Sequence, residues 1–251
     1  SVARRAAELG VRYVGVEQMY TPHQIPWTIA GAEELLREVP ASAGPLFYMT
    51  IDVGHACGQR RFQRMDQAAL RGALVRARAD GTVRGLWLGP QSAYALFFDA
   101  VADGDSHGDK WIQRLQAEME RYPHLFAAYE DGDPYNWLER LACYSPIVHL
   151  QQTPGDASPH SAFTPEQNDR GIVEGAKVLH AIGRSYERPE ADGLPPRCER
   201  VYLTIEVFPP LTQYPRDILA DLQASVDYWR QVVPQDGQRL DALLSRLEDE
   251  T

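Results

Sequence analysis

The chain has 251 residues, 35 of them acidic and 25 basic, for a formal net charge of −10, with 44% hydrophobic and 24% charged residues. That length suits one large domain, such as an α/β barrel of about 250 residues, and the acidic balance argues against nucleic acid and anionic membrane surfaces as partners. Three cysteines (Cys57, Cys143, Cys198) without a C-x-x-C pair point to free thiols in a reducing, cytoplasmic setting, and no apolar run reaches the roughly 20 residues of a membrane span.

In chain order, residues 2–9 read as the end of an amphipathic helix stopped by Gly10, and the opening SVARRAAELG, without Met and starting in mid-pattern, reads as the continuation of a longer chain. Val11–Glu17 (VRYVGVE) is a short β-branched strand. Thr28 is placed as the cap of a helix over 31–39, and Leu46–Asp52 (LFYMTID) is a second buried strand ending in Asp-Val-Gly-His. Strand, helix, strand at this spacing predicts parallel pairing. Residues 56–132 are less regular, with helices near 66–79, 91–101 and 109–121 and a short strand near 83–88. The run 103–109 (DGDSHGD) reads as an exposed loop rather than a metal site. The rhythm resumes with a helix over 134–142, a strand Ile147–Gln151, a helix over 168–185, a strand Val201–Val207 (VYLTIEV) and helices over 215–232 and 238–247.

Four of these strands deliver ligand-type side chains near their C-terminal ends: Glu17, Asp52 with His55 just beyond, His149, and Glu206. Sites in parallel α/β folds form where those ends converge. One such residue alone is more often solvated, ion-paired or hydrogen-bonded in a core. Four successive strands each carrying one is another matter, because buried carboxylates are costly unless paired or metal-bound. Hard oxygen ligands with an imidazole suit Mn²⁺, Mg²⁺ or Co²⁺.

The segments GVEQMY (15–20), IDVGH (51–55), IVHLQQT (147–153) and LTIEVF (203–208) together resemble the xylose-isomerase-like sugar phosphate isomerase/epimerase superfamily. SPIVHLQQT and SVDYWRQVVPQDG are also similar to tetrulose-phosphate epimerases. The resemblance implies a (β/α)8 TIM barrel of which this chain is the C-terminal part, strands 5 to 8, with the first four strands absent. It implies metal ligands at Glu17, Asp52, His149 and Glu206, an acid/base pair of Glu17 and Glu206, and a substrate oxygen held by His55. His55 and His149 are 94 positions apart (149 − 55), more than one helix and loop need. Residues 56–132 are therefore expected to be an inserted subdomain of a single partial barrel domain (1–251), serving as a lid or as a contact in a homo-oligomer.

The expected reaction is isomerisation or epimerisation of a small ketose or ketose phosphate: a proton is removed beside the carbonyl, and the enediolate is stabilised by a divalent metal. Arg60 and Arg61 are candidates to grip a phosphate and His160 to reach the substrate or a phosphate, and Trp27 and Phe208 are candidates to wall the pocket, with ordinary packing the favoured role. The rival readings are a metal-dependent lyase or dehydratase, or a hydrolase, on the same scaffold. A multi-zinc nuclease is disfavoured by the few histidines and the acidic charge. A sugar-binding protein without catalysis would bind no metal.

Overall fold

The computed structural model describes residues 2–11, 13–43, 47–104 and 107–249. The chain divides into two compact units, one of Ser1–Gly58 with Glu130–Thr251 and the other of Gln59–Tyr129.

The first unit begins with α1 (Val2–Glu8), β1 (Val14–Glu17), α2 (Ile29–Ala43), β2 (Phe47–Asp52) and the short α3 (His55–Gln59). Thr28 caps α2, its hydroxyl accepting the Gly31 N–H at 3.1 Å. Such caps satisfy one of the orphan donors at a helix start. β2 is buried at five of its six positions, as expected of a parallel strand covered on both faces.

The second unit has α4 (Gln67–Asp80), α5 (Gln91–Ala102) and α6 (Gly108–Glu120) around its own core of Leu70, Phe97, Ile112, Leu115 and Met119. α4 is closed at both ends: Asp66 accepts the Ala69 N–H at 2.7 Å, and Gly81 takes the left-handed C-terminal position at φ 71°. The two ends of this unit run side by side, with the Ala127 N–H donating to Phe62 O at 3.1 Å beside a bridge between Gln63 and Ala127.

The first unit then continues through α7 (Pro134–Leu141), β3 (Ile147–Leu150), α8 (Pro165–Arg170), α9 (Gly175–Glu187), β4 (Tyr202–Ile205), α10 (Pro215–Val232) and α11 (Leu240–Asp249). The four strands form one sheet in the order β1-β2-β3-β4, each pairing parallel with its neighbour. The fold class is thus α/β with a parallel sheet, and strands laid down in sequential order with helices between them are the arrangement a (β/α)8 barrel uses. Leu36, Met49, Ile51, Trp137, Leu141 and Val148 anchor the core beneath. No helix among the described residues is long and apolar enough to cross a membrane.

Two expectations are corrected. The segment near 83–88 forms no strand: Gly81, Gly85 and Gly89 all have positive φ (71°, 68°, 75°), so extended geometry is interrupted every four residues. Its apolar Leu88 is instead buried in the core of the second unit. The helix expected over 168–185 is two helices, α8 and α9, separated by Gly171–Glu174. The Ile172 N–H donates to Thr153 O at 2.9 Å and the Val173 N–H to Gln152 Oε1 at 3.0 Å, so tertiary partners take the donors a helix would have used. α2 runs four residues beyond the expected 39, through Pro40. Arg12 and Leu46 of the first two expected strands, and Asp105 and Ser106 of the 103–109 loop, lie outside the described residues.

Candidate metal centre

Strand register brings the ligand-type residues together. Glu17 pairs with Thr50 and Asp52 with His149, while His149 also pairs with Thr204. Alternate residues of a strand share a face. Thr50 and Asp52 therefore share one face with Glu17, and His149, Thr204 and Glu206 fall on it too. The face is kept in register past β4 by the Glu206 N–H, which donates to Leu150 O at 2.9 Å.

On that face, one ligand atom from each of Glu17, Asp52, His149 and Glu206 lies within 4.8 Å of the others, and Asp52, His55 and His160 form a second such group sharing Asp52. His149 Nδ1 is 3.0 Å from Glu17 Oε1 and 2.9 Å from Glu206 Oε2. The hydrogen bond of Nδ1 is to Glu17. Glu206 Oε2, despite its proximity, has no hydrogen-bond partner and is shut off from solvent, and the same is true of Asp52 Oδ2. The other oxygen, Asp52 Oδ1, accepts from the Gly54 N–H (2.7 Å), the His55 N–H (2.9 Å) and Gln151 Nε2 (2.7 Å).

Electrostatics follow the geometry. The hydrogen bond from His149 holds the Glu17 carboxyl below its usual range, with burial opposing. The same bond raises His149, against burial, with Glu206, Glu17 and Asp52 adding to the rise. Burial pushes Glu206 up, aided by the negative charges of Asp52 and Glu17 and opposed by His149.

The two neighbouring histidines have their tautomers set by backbone carbonyls. His55 Nδ1 is 2.7 Å from Gln18 O and His160 Nδ1 is 3.3 Å from Ser158 O. In the neutral ring, donation there leaves each Nε2 as an acceptor. His160 Nε2 sits 3.7 Å from both Asp52 Oδ2 and Glu206 Oε2. Three acceptors facing one another with no donor among them call for a cation or a proton between them, and the O₃N donor set of the strand residues fits a hard divalent ion.

The structure thus brings Glu17, Asp52, His55, His149, His160 and Glu206 to one place. Arg60 and Arg61 lie on the 3-10 turn Arg60–Phe62 that begins the Gln59–Tyr129 unit. Phe208, expected in ordinary packing, is 60% exposed and stacks on the His160 ring at 4.0 Å and 5°, so it presents an apolar face beside the cluster. Trp27 is buried. Asp103 in the 103–109 loop accepts from Trp111 Nε1 at 2.8 Å and lies 3.4 Å from His107. Among the described residues that loop forms no metal-competent group.

Sequence reasoning missed Gln151 and Gln152, which follow the last residue of β3, Leu150, and are both buried. Two amides at the end of an apolar strand were the available signal, since a buried amide must find partners. Gln152 Nε2 donates to Asn168 Oδ1 (2.9 Å) and Val173 O (3.0 Å), while its Oε1 accepts from the Val173 and Thr153 N–H groups, each at 3.0 Å.

No family model matches the sequence, and no curated protein matches it. A crystal structure of a proposed xylose isomerase from Rhodospirillum rubrum is similar at 16% identity and a TM-score of 0.47, over 92% of this chain and 50% of that one. The chain therefore spans about half the length of that protein, and a likeness this distant carries no argument about activity.

Proposed function

We propose that the protein is a divalent-metal-dependent isomerase or epimerase of a small ketose or ketose phosphate, with Glu17, Asp52, His149 and Glu206 as metal ligands. The observation that carries this reading is the pair of buried carboxylate oxygens without a hydrogen bond, Asp52 Oδ2 and Glu206 Oε2, the second in charge contact with His149 Nδ1 at 2.9 Å, in one cluster with Glu17. Buried carboxylates left bare are costly, and a shared Mn²⁺, Mg²⁺ or Co²⁺ removes that cost. When bound, such an ion acts as a Lewis acid toward a substrate carbonyl.

The chain's own groups then divide the remaining work. Glu17 is suited to accept a proton from the carbon beside the carbonyl. Glu206 is suited to return a proton to the opposite face. The Nε2 atoms of His55 and His160 accept hydrogen bonds from substrate hydroxyls, and the exposed face of Phe208 covers the C–H side of the sugar. The Gln59–Tyr129 unit, lying in sequence between β2 and β3, is read as an inserted subdomain.

Two measurements test this. Titration calorimetry of the purified protein with Mn²⁺, Mg²⁺ and Co²⁺ should show one site that Asp52→Asn and His149→Ala abolish or weaken strongly. Incubation with ketoses and ketose phosphates in D₂O, read by NMR, should show deuterium entering next to the carbonyl. Absence of cation binding by the unmodified protein overturns the reading.

A further inference from the structure

We infer that Gln151, which follows β3, is a positioning residue: it aims Asp52 at the cation and ties that carboxylate to the backbone of His160. This rests on the metal-centre reading above. Gln151 is wholly buried. Its Nε2 donates to Asp52 Oδ1 at 2.7 Å and to Ser158 Oγ at 3.0 Å, and its Oε1 accepts the His160 N–H at 2.7 Å.

Ser158 Oγ lies within bonding distance of both ends of the amide (3.0 and 3.3 Å), but Asp52 and the His160 N–H each meet one end, so its orientation is fixed: a flip would set oxygen against the Asp52 carboxylate and NH₂ against the His160 N–H. Together with the Gly54 and His55 N–H groups, Gln151 makes Asp52 Oδ1 a triple acceptor. Oδ1 is thereby occupied, and Oδ2 alone remains bare toward Glu206 and His160. A carboxylate in this state offers one oxygen, in one direction.

The second end explains a strained backbone. His160 has φ +52°, a left-handed conformation that costs a non-glycine residue free energy and persists only where surroundings impose it. The imposed contacts are the Gln151 Oε1 bond on its N–H, the Phe208 N–H donating to His160 O at 3.0 Å, and the ring stack on Phe208. One amide therefore sets both the carboxylate that faces the cation and the residue whose Nε2 faces that carboxylate. Gly54 closes this arrangement: a Cβ there would lie 2.2 Å from Gln151 Cδ, so the amide fits only because position 54 has no side chain.

The test uses Co²⁺ as probe, with no substrate present. Gln151→Met removes both bonds at nearly constant volume. Gly54→Ala retains the backbone N–H that bonds Asp52 Oδ1 but displaces the amide, and it decides the matter should Gln151→Met fail to fold. Ser158→Ala is the control, since it loosens the same loop while leaving the Gln151–Asp52 bond. Loss of an outer hydrogen-bond partner typically weakens metal affinity about 10–100-fold. Expected results are a loss of that size in both Gln151→Met and Gly54→Ala, a changed Co²⁺ absorption spectrum, and faster amide exchange in peptides spanning 152–161. Ser158→Ala should stay near the unmodified protein in affinity and spectrum. Unchanged affinity and spectrum in Gln151→Met or Gly54→Ala overturns the proposal, as does an equal loss in Ser158→Ala, which would make the effect general loosening. If the unmodified protein binds no Co²⁺, the metal-centre reading falls first, and that is seen before any variant is compared.

Discussion

Replacing Gln152 with Leu tests whether the gap between α8 and α9 is held by a single buried amide. The substitution keeps most of the volume and removes four hydrogen bonds. It leaves the Val173 N–H, the Val173 carbonyl and the Thr153 N–H without those partners, at residues that are each 1% exposed. A buried group left unsatisfied costs about 1–3 kcal/mol. Three such groups, with some relief by rearrangement, give an expected loss of about 3–5 kcal/mol, a large share of a total stability of about 5–15 kcal/mol. Urea unfolding followed by the fluorescence of the buried Trp137 and Trp229 reads this directly. Gly171 provides a second axis, because a Cβ there would lie 2.0 Å from Gln152 Cδ. Gly171→Ala should destabilise the protein on its own, and Gln152→Ala should relieve the clash, so the double variant should be more stable than the sum of the two singles implies. A loss below about 1 kcal/mol for Gln152→Leu, or strict additivity in the cycle, would refute the reasoning.

Further predictions concern the site and the thiols. Glu17→Gln and Glu206→Gln should each lower turnover by at least the 10²–10⁴-fold typical of a general acid or base, and exchange of the substrate proton without inversion in one of them, followed by NMR in D₂O, would separate their roles. In the metal-free protein, lowered Glu17 contributes stability that is present above its ordinary 4.5 and is lost as pH falls through the lower folded value; raised His149 contributes stability that is full below its ordinary 6.5 and is lost as pH rises through the higher folded value. The difference in thermal midpoint between the unmodified protein and His149→Gln should therefore be largest between about pH 4.5 and 6.5, and a flat difference across pH 4–9 would contradict the pairing. Cys198, pushed up to about 12 chiefly by burial, should resist iodoacetamide at pH 8 in the folded protein and react on unfolding, as mass spectrometry of its peptide would show.

How far the sequence could be read depended on the kind of signal each residue leaves. β1 to β4 announce themselves as short apolar, β-branched runs, although only β2 is covered on both faces, and Glu17, Asp52, His149 and Glu206 are conspicuous as charged or ionisable residues in or just after such runs. Their convergence needs only period-two alternation and parallel order. Gln151 and Gln152 leave no comparable mark, since an uncharged amide looks alike whether it is solvated or makes four bonds, and only the fold supplies Asp52, His160 and Val173 as partners. The 168–185 segment has helical periodicity throughout, and what breaks it is Gln152, sixteen residues before its first position. The apolar residues near 83–88 mark a core correctly but not a strand, because the glycines at 85 and 89 adopt positive φ. For Phe208 the sequence favours packing over a pocket wall, since nothing local distinguishes an aromatic that stacks on a distant histidine.

The side-by-side ends of the Gln59–Tyr129 unit bear on how the sheet assembles. β2 and β3 are neighbours although the chain between Asp52 and Ile147 is long, and closing a flexible loop costs about 0.6 kcal/mol more for each doubling of its length. Once this unit folds around its own core, the contact between residues 62–63 and 127 turns some seventy residues into a knot a few residues wide. The entropic distance between the two strands then falls to that of an ordinary crossover. Pairing of Asp52 with His149, the step that assembles half of the ligand set, is thereby made a local event.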